Sequence, residues 1–123
     1  MMEQSQALAA FAALSQETRL RIVRLLVQTG EAGMAAGAIA AAADVSPSNV
    51  SFHLKELERA GLVGQRRESR SVIYAADYAA LRGLIGFLMK DCCRGRPEIC
   101  APLMADIACC PAPQDERKEP LGA

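Results

Sequence analysis

Tryptophan is absent from this 123-residue chain, and two Tyr and three Phe complete an aromatic content of 4%. So few rings exclude a stacking platform for single-stranded nucleic acid or carbohydrate. Long apolar runs are missing as well. The uncharged stretch at residues 32–43 is short and Ala-rich, whereas a bilayer span needs roughly 20 apolar residues. The start, Met1-Met2-Glu3-Gln4, has neither the basic nor the apolar region of a secretory signal, so a cytoplasmic protein is expected. A reducing cytosol keeps cysteines as thiols. The 14 basic and 14 acidic side chains cancel, so partners must be sought in where charge lies rather than in its sum. Histidine occurs once, at position 53.

Cysteine is missing from residues 1–91, yet five cysteines fall between residues 92 and 110. Core cysteines scatter, so the clustering divides the chain into a thiol-free body, 1–91, and a thiol-rich segment, 92–110. Residues 111–123 carry Pro111, Pro113 and Pro120 among mixed charges and no apolar period, and are predicted to be a disordered tail.

Hydropathy in the body reads as helices, a hairpin and a last helix. Leu8, Phe11 and Ala12 form an apolar stripe on a short first helix. Ser15 is expected to cap a second helix whose inner face is Ile22, Val23, Leu26 and Val27. Arg19, Arg21 and Arg24 on that helix read as a solvated face. Gly30 ends it, and residues 31–34 read as a loop. Residues 35–43 form a short Ala-rich helix anchored by Ile39, and Asp44-Val45 breaks it. Ser46 caps the next helix, Pro47 suits its first position, and Asn49 stands where a capping-box partner belongs. Val50, Leu54 and Leu57 make its buried stripe, opposite Ser48, Asn49, Ser51, Phe52 and Lys55. Two strand-like runs, 62–67 and 71–76, flank a polar turn, Glu68-Ser69-Arg70. The last helix spans about 77–90, with Leu81, Leu84, Ile85 and Leu88 on one side.

A short small-residue helix, a tight break and a capped second helix make a helix-turn-helix candidate. Ser46, Ser48, Asn49 and Ser51 bring short hydrogen-bonding groups to the positive end of the second helix, where base edges and phosphates are read. Arg66, Arg67 and Arg70 outnumber Glu68 on the hairpin, a basic turn suited to a minor groove or backbone. The bland alternative is a small helical domain with an ordinary capped helix.

Two strings carry a family resemblance. They are Ser15-Gln-Glu-Thr-Arg-Leu-Arg-Ile-Val-Arg-Leu-Leu26 and Val45-Ser-Pro-Ser-Asn-Val-Ser-Phe-His-Leu-Lys-Glu-Leu-Glu-Arg-Ala-Gly-Leu-Val63. Over residues 5–93 the chain resembles the ArsR/SmtB family of winged-helix repressors. The more specific part is Val50-Ser51-x-His53-Leu54-x-x-Leu57-x-x-Ala60-Gly61-Leu62-Val63. The resemblance implies a mostly α fold with a two-stranded β-wing, in the order α-α-α-α-β-β-α. It implies a homodimer built from the first and last helices, here the stripes led by Leu8 and Leu81. It implies a repressor that releases double-stranded operator DNA when an effector binds, not an enzyme. Its DNA contacts are expected at Ser46, Ser48, Asn49, Ser51, His53, Lys55, Arg66, Arg67 and Arg70. His53 has no Cys or second His near it in sequence, so a structural or phosphate-contacting role is preferred over a metal ligand.

Cys92 and Cys93 follow the last helix, and Gly95 and Pro97 allow the chain to fold back so that Cys100 approaches them. Three soft sulfurs favour a thiophilic ion: trivalent arsenic or antimony makes three bonds to sulfur, while zinc wants a fourth ligand. Lys90, Arg94 and Arg96 raise the thiolate fraction. The family's Cys-x-Cys site in the first reading helix and its Asp/His/Glu site on the last helix both lack their residues here. What remains resembles arsenic-responsive members, and that resemblance assigns Cys92, Cys93 and Cys100 as ligands, with Cys109 and Cys110 accessory or neutral. No cofactor is required on this reading; As(III), or Sb(III), is the inducer. The alternatives keep the DNA-binding body but make the thiols a redox switch or a cadmium, lead or zinc site. A phosphatase-like Cys-x5-Arg loop fails, since Glu98, Ile99 and Asp106 occupy the Arg positions, and a metal carrier would leave the reading-helix signature without a purpose.

Overall fold

Helix α1, Gln4–Leu14, starts behind Glu3, whose backbone N–H donates to Gln6 Oε1 at 2.9 Å. In this computed structural model residues 2–90, Glu98 and Pro102 are described, and the chain divides into two compact units, Met1–Leu88 and Met89–Ala123. Ala7, Ala10 and Ala13 are the buried residues of α1, so the helix lies close against its neighbours and leaves Leu8 and Phe11 outside.

Helix α2, Glu17–Thr29, is capped by Gln16 and not by Ser15 as the sequence suggested: the Gln16 side chain accepts from the Arg19 N–H at 2.8 Å. An N-cap needs extended backbone. Gln16 has it (φ −104°, ψ 133°), whereas Ser15 still follows the helical turn of α1 and donates its hydroxyl to the Ala12 carbonyl at 2.8 Å. Ile22, Val23 and Leu26 are buried; Val27, expected beside them, sits at the rim and is exposed.

The supposed loop at 31–34 contains a third strand. Strand β1, Met34–Ala35, pairs antiparallel with β3, Ser71–Ala76, through Met34↔Tyr74 and Ala35↔Ile73. The two-stranded wing expected from sequence is therefore part of a three-stranded sheet of order β1-β3-β2, with β2 spanning Val63–Glu68. Two residues hold no readable alternation, which hid β1 from a pattern argument. Gly33 permits the pairing: it adopts φ +72°, and a Cβ there would stand 2.5 Å from the Tyr74 carbonyl oxygen.

Helix α3, Ala36–Ala43, ends at Asp44 in the left-handed conformation (φ 58°, ψ 52°), with the Val45 N–H donating back to Ala40 O at 3.0 Å. Short polar side chains tolerate that conformation better than most. Helix α4, Pro47–Arg59, follows directly, with Pro47 in its first turn, and Gly61 at φ +82° turns the chain into β2. The β2–β3 hairpin closes over Ser69-Arg70, between the Glu68↔Ser71 pair, with Ser69 at φ 55°. Asp77 Oδ1 accepts from the Ala80 N–H at 3.0 Å and so starts α5, Tyr78–Met89. Ile22, Leu26, Ile39, Val50, Leu54, Leu57 and Leu62 are the large, fully buried side chains, so α2, α3, α4 and the strand start share one core. Among the described residues no helix is long and apolar enough to cross a membrane.

Candidate nucleic-acid interface

The α3–turn–α4 unit is built around small residues. Ala40 and Ala43 join Ile39 on the buried side of α3, and methyl-sized groups let α4 cross it closely. Against them α4 sets Val50, Leu54 and Leu57. The Ser46 hydroxyl accepts from the Asn49 N–H at 3.3 Å, satisfying one orphan donor of the helix start. The same turn leaves Ser46, Ser48, Asn49 and Ser51 exposed, with Phe52 and Lys55 one turn further on. The positive end of the α4 dipole therefore faces outward among hydroxyl and amide groups, an arrangement that favours phosphate and polar base edges.

Two arginines that read as a solvated face instead brace this unit. Arg21 donates from Nη1 to the Ala43 carbonyl at 2.8 Å, placing a cation at the C-terminal end of α3. Arg19 donates from Nε to the Ala13 carbonyl at 2.7 Å, and its Nη1 lies 3.2 Å from His53 Nδ1. A guanidinium only donates, so Nδ1 accepts and the ring is neutral with its proton on Nε2. The electrostatics agree. Burial chiefly, and then the Arg19 charge, hold the His53 pKa below its ordinary 6.5, with Glu56 pulling weakly the other way. His53 thus ties α4 to α2 and the end of α1. Sequence reasoning missed the roles of Arg19 and Arg21, because their acceptors are carbonyls and a ring distant in the chain.

On the hairpin the three arginines part company. Arg66 donates from Nη1 to Glu31 O at 3.1 Å, from Nη2 to Ala32 O at 2.8 Å and from Nε to Glu68 Oε2 at 2.8 Å. Its fork is turned to the α2–β1 loop. Arg67 points to the other face of the strand, as alternation requires, and Arg70 stands at the turn; both are exposed. Gln65 Nε2 donates to Glu58 Oε2 at 2.8 Å, linking the hairpin base to the end of α4. Cys92, Cys93, Cys100, Cys109 and Cys110 lie outside the described residues, and among those described no cluster of His, Cys, Asp and Glu is suited to a metal ion.

Comparison with known proteins bears on this geometry. A family model described as a helix-turn-helix domain matches residues 14–66. The homodimeric winged helix-turn-helix DNA-binding domain of Mb0332 from Mycobacterium bovis, a possible ArsR-family transcriptional regulator, is 30% identical. It superposes with a TM-score of 0.58 over 71% of this chain and 81% of that one. The chain belongs to the ArsR family of winged-helix transcriptional regulators. A second solved structure, described as a possible transcriptional regulator for arsenical resistance, is 34% identical over 77% of this chain and 92% of that one, with a TM-score of 0.51. The uncharacterized HTH-type transcriptional regulator YceK of Bacillus subtilis is 36% identical over 61 residues, which span 50% of this chain and 60% of that protein. In this ArsR-family chain α3 and α4 are the helix-turn-helix and the β2–β3 hairpin is the wing.

Proposed function

We propose that the protein is a cytoplasmic, homodimeric repressor that holds operator DNA through α4 and the wing and lets go when trivalent arsenic or antimony binds Cys92, Cys93 and Cys100. The observation that carries the DNA-binding half is the outward face of α4. Ser48, Asn49, Ser51 and Lys55 are all exposed there beside a capped, positive helix end, while the opposite stripe is wholly buried. Arg67 and Arg70 on the wing supply phosphate contacts, and Ser46 and His53 position the helix that makes the others. Dimerisation through α1 and α5 is supported by the exposure of Leu8, Phe11, Ile85 and Leu88, and by the homodimeric state of the Mycobacterium bovis relative.

The effector half rests on the donor chemistry of residues 92–110 and on the description of the arsenical-resistance relative. Three thiolates suit a trigonal, thiophilic ion and leave zinc short of a ligand. The segment begins just past α5, so capture of the ion acts on a helix of the dimer interface. The two α4 helices must meet successive major grooves about one turn apart, so a small change in their spacing lowers affinity. A hundredfold loss needs only about 2.7 kcal/mol of coupling, and operator must weaken ion binding by the same factor.

Fluorescence anisotropy of the purified protein on the DNA upstream of its gene tests both halves. Arsenite and antimonite are expected to release the complex while zinc is not. Cys92→Ser or Cys100→Ser keeps operator binding and abolishes release by arsenite. Release that survives in the double variant overturns the ligand assignment, and release by peroxide alone favours a thiol redox switch in its place.

A further inference from the structure

Phe52 is the anomaly of the reading helix. It is 56% exposed, the only large apolar side chain on α4 left to solvent. The helical period places it opposite Val50, Leu54 and Leu57, in a row with Ser48 and Lys55. The other exposed apolar residues on α1 and α5 have the proposed dimer partner to cover them; Phe52 stands instead among hydroxyls and a cation. Its ring meets the His53 ring edge-on, with centroids 5.4 Å apart and planes at 65°, and His53 is itself held by Arg19. Phe52 is thus braced on one side and bare on the other.

We propose that Phe52 reads sequence: its ring packs on the C5-methyl group of a thymine in the major groove and selects that base at one position in each half-site. The inference rests on the reading that α4 enters the major groove. There the thymine methyl is the one apolar group among the base edges, and a phenyl ring has no hydrogen bond to offer the others. Ser48 and Lys55 on either side satisfy neighbouring polar edges and phosphates, so the ring is set where a methyl, and not a water, is its best partner. The connected chain Arg19–His53–Phe52 pre-orders the ring, which lowers the entropy cost of the contact.

The test uses the full-length protein and the upstream duplex, with each thymine replaced in turn by deoxyuridine, which removes only the methyl. At fixed salt, wild type is expected to lose about fourfold in affinity at one symmetry-related pair of thymines, the worth of one buried methyl-sized group. Phe52→Ala is expected to bind the unmodified duplex about fourfold more weakly or worse, and to be indifferent to deoxyuridine at that same pair. Phe52→Leu, which keeps an apolar tip, is expected to retain part of the discrimination. If wild type binds the duplex yet no deoxyuridine weakens it, or if Phe52→Ala stays as sensitive as wild type, the assignment is wrong. If wild type fails to bind the duplex at all, the DNA-binding reading itself falls, and this inference with it.

Discussion

Arg19 and Arg21 each donate to a backbone carbonyl of another helix, and the one histidine of the chain meets Arg19. A second cation at His53 would face Arg19 across a hydrogen bond that needs a lone pair. The consequence is a pH dependence with a definite sign. The folded protein holds His53 below its ordinary 6.5, so the unfolded chain takes up the proton first as pH falls. The associated stability is therefore complete above about 6.5 and is lost as pH drops through the lowered value. Urea midpoints measured from about pH 7.5 down to about pH 5 should fall in wild type, and His53→Gln should flatten that part of the profile. An identical slope in the variant would remove His53 as its source. Of this residue-level picture, the Ser46 cap and the solitary histidine were legible in sequence, since caps are local. The Arg19–His53 contact joins positions 34 apart, and no local pattern announces it.

The wing is an element whose arginines have different surroundings. Alternation along β2 sends Arg66 to one face and Arg67 to the other, and the Arg66 fork clamps the carbonyls of Glu31 and Ala32 beside the short strand β1. In sequence the three arginines form one basic patch, since nothing local marks β1 or the carbonyls that Arg66 meets. Arg67→Ala is expected to lower the slope of log affinity against log salt by about 1, the mark of a lost phosphate contact. Arg66→Ala is expected to weaken binding while leaving the slope near wild type, and to speed amide exchange at Ala32 and Gly33. Equal slope changes in the two variants would return Arg66 to the phosphate contacts.

At the scale of the whole molecule the apolar surface left over is as informative as the core. Leu8 and Leu88 are 59% and 58% exposed, and Phe11 and Ile85 lie on the same two helices. A small domain does not keep such stripes wet without a partner. Replacing Leu8 and Leu88 by Glu disturbs little of the buried core, yet is expected to give a monomer in sedimentation velocity and at least tenfold weaker operator binding, since one α4 then reads one half-site. A dimer that persists would place the interface elsewhere.

Sequence by itself determined which segments are helical, where the second reading helix begins and which stripe of it is buried, because periodicity, capping and proline or glycine placement act within a few residues. It also determined the family, through one string along α2 and a second that runs from the start of α4 to the start of β2. Only the tertiary structure decided that α1 buries its alanines and shows its leucine, that the sheet has a third strand, and that Arg19, Arg21 and Arg66 hydrogen-bond carbonyls of other segments. Those outcomes depend on which distant carbonyl or surface a side chain meets once the core has closed, and linear order carries no distance in space.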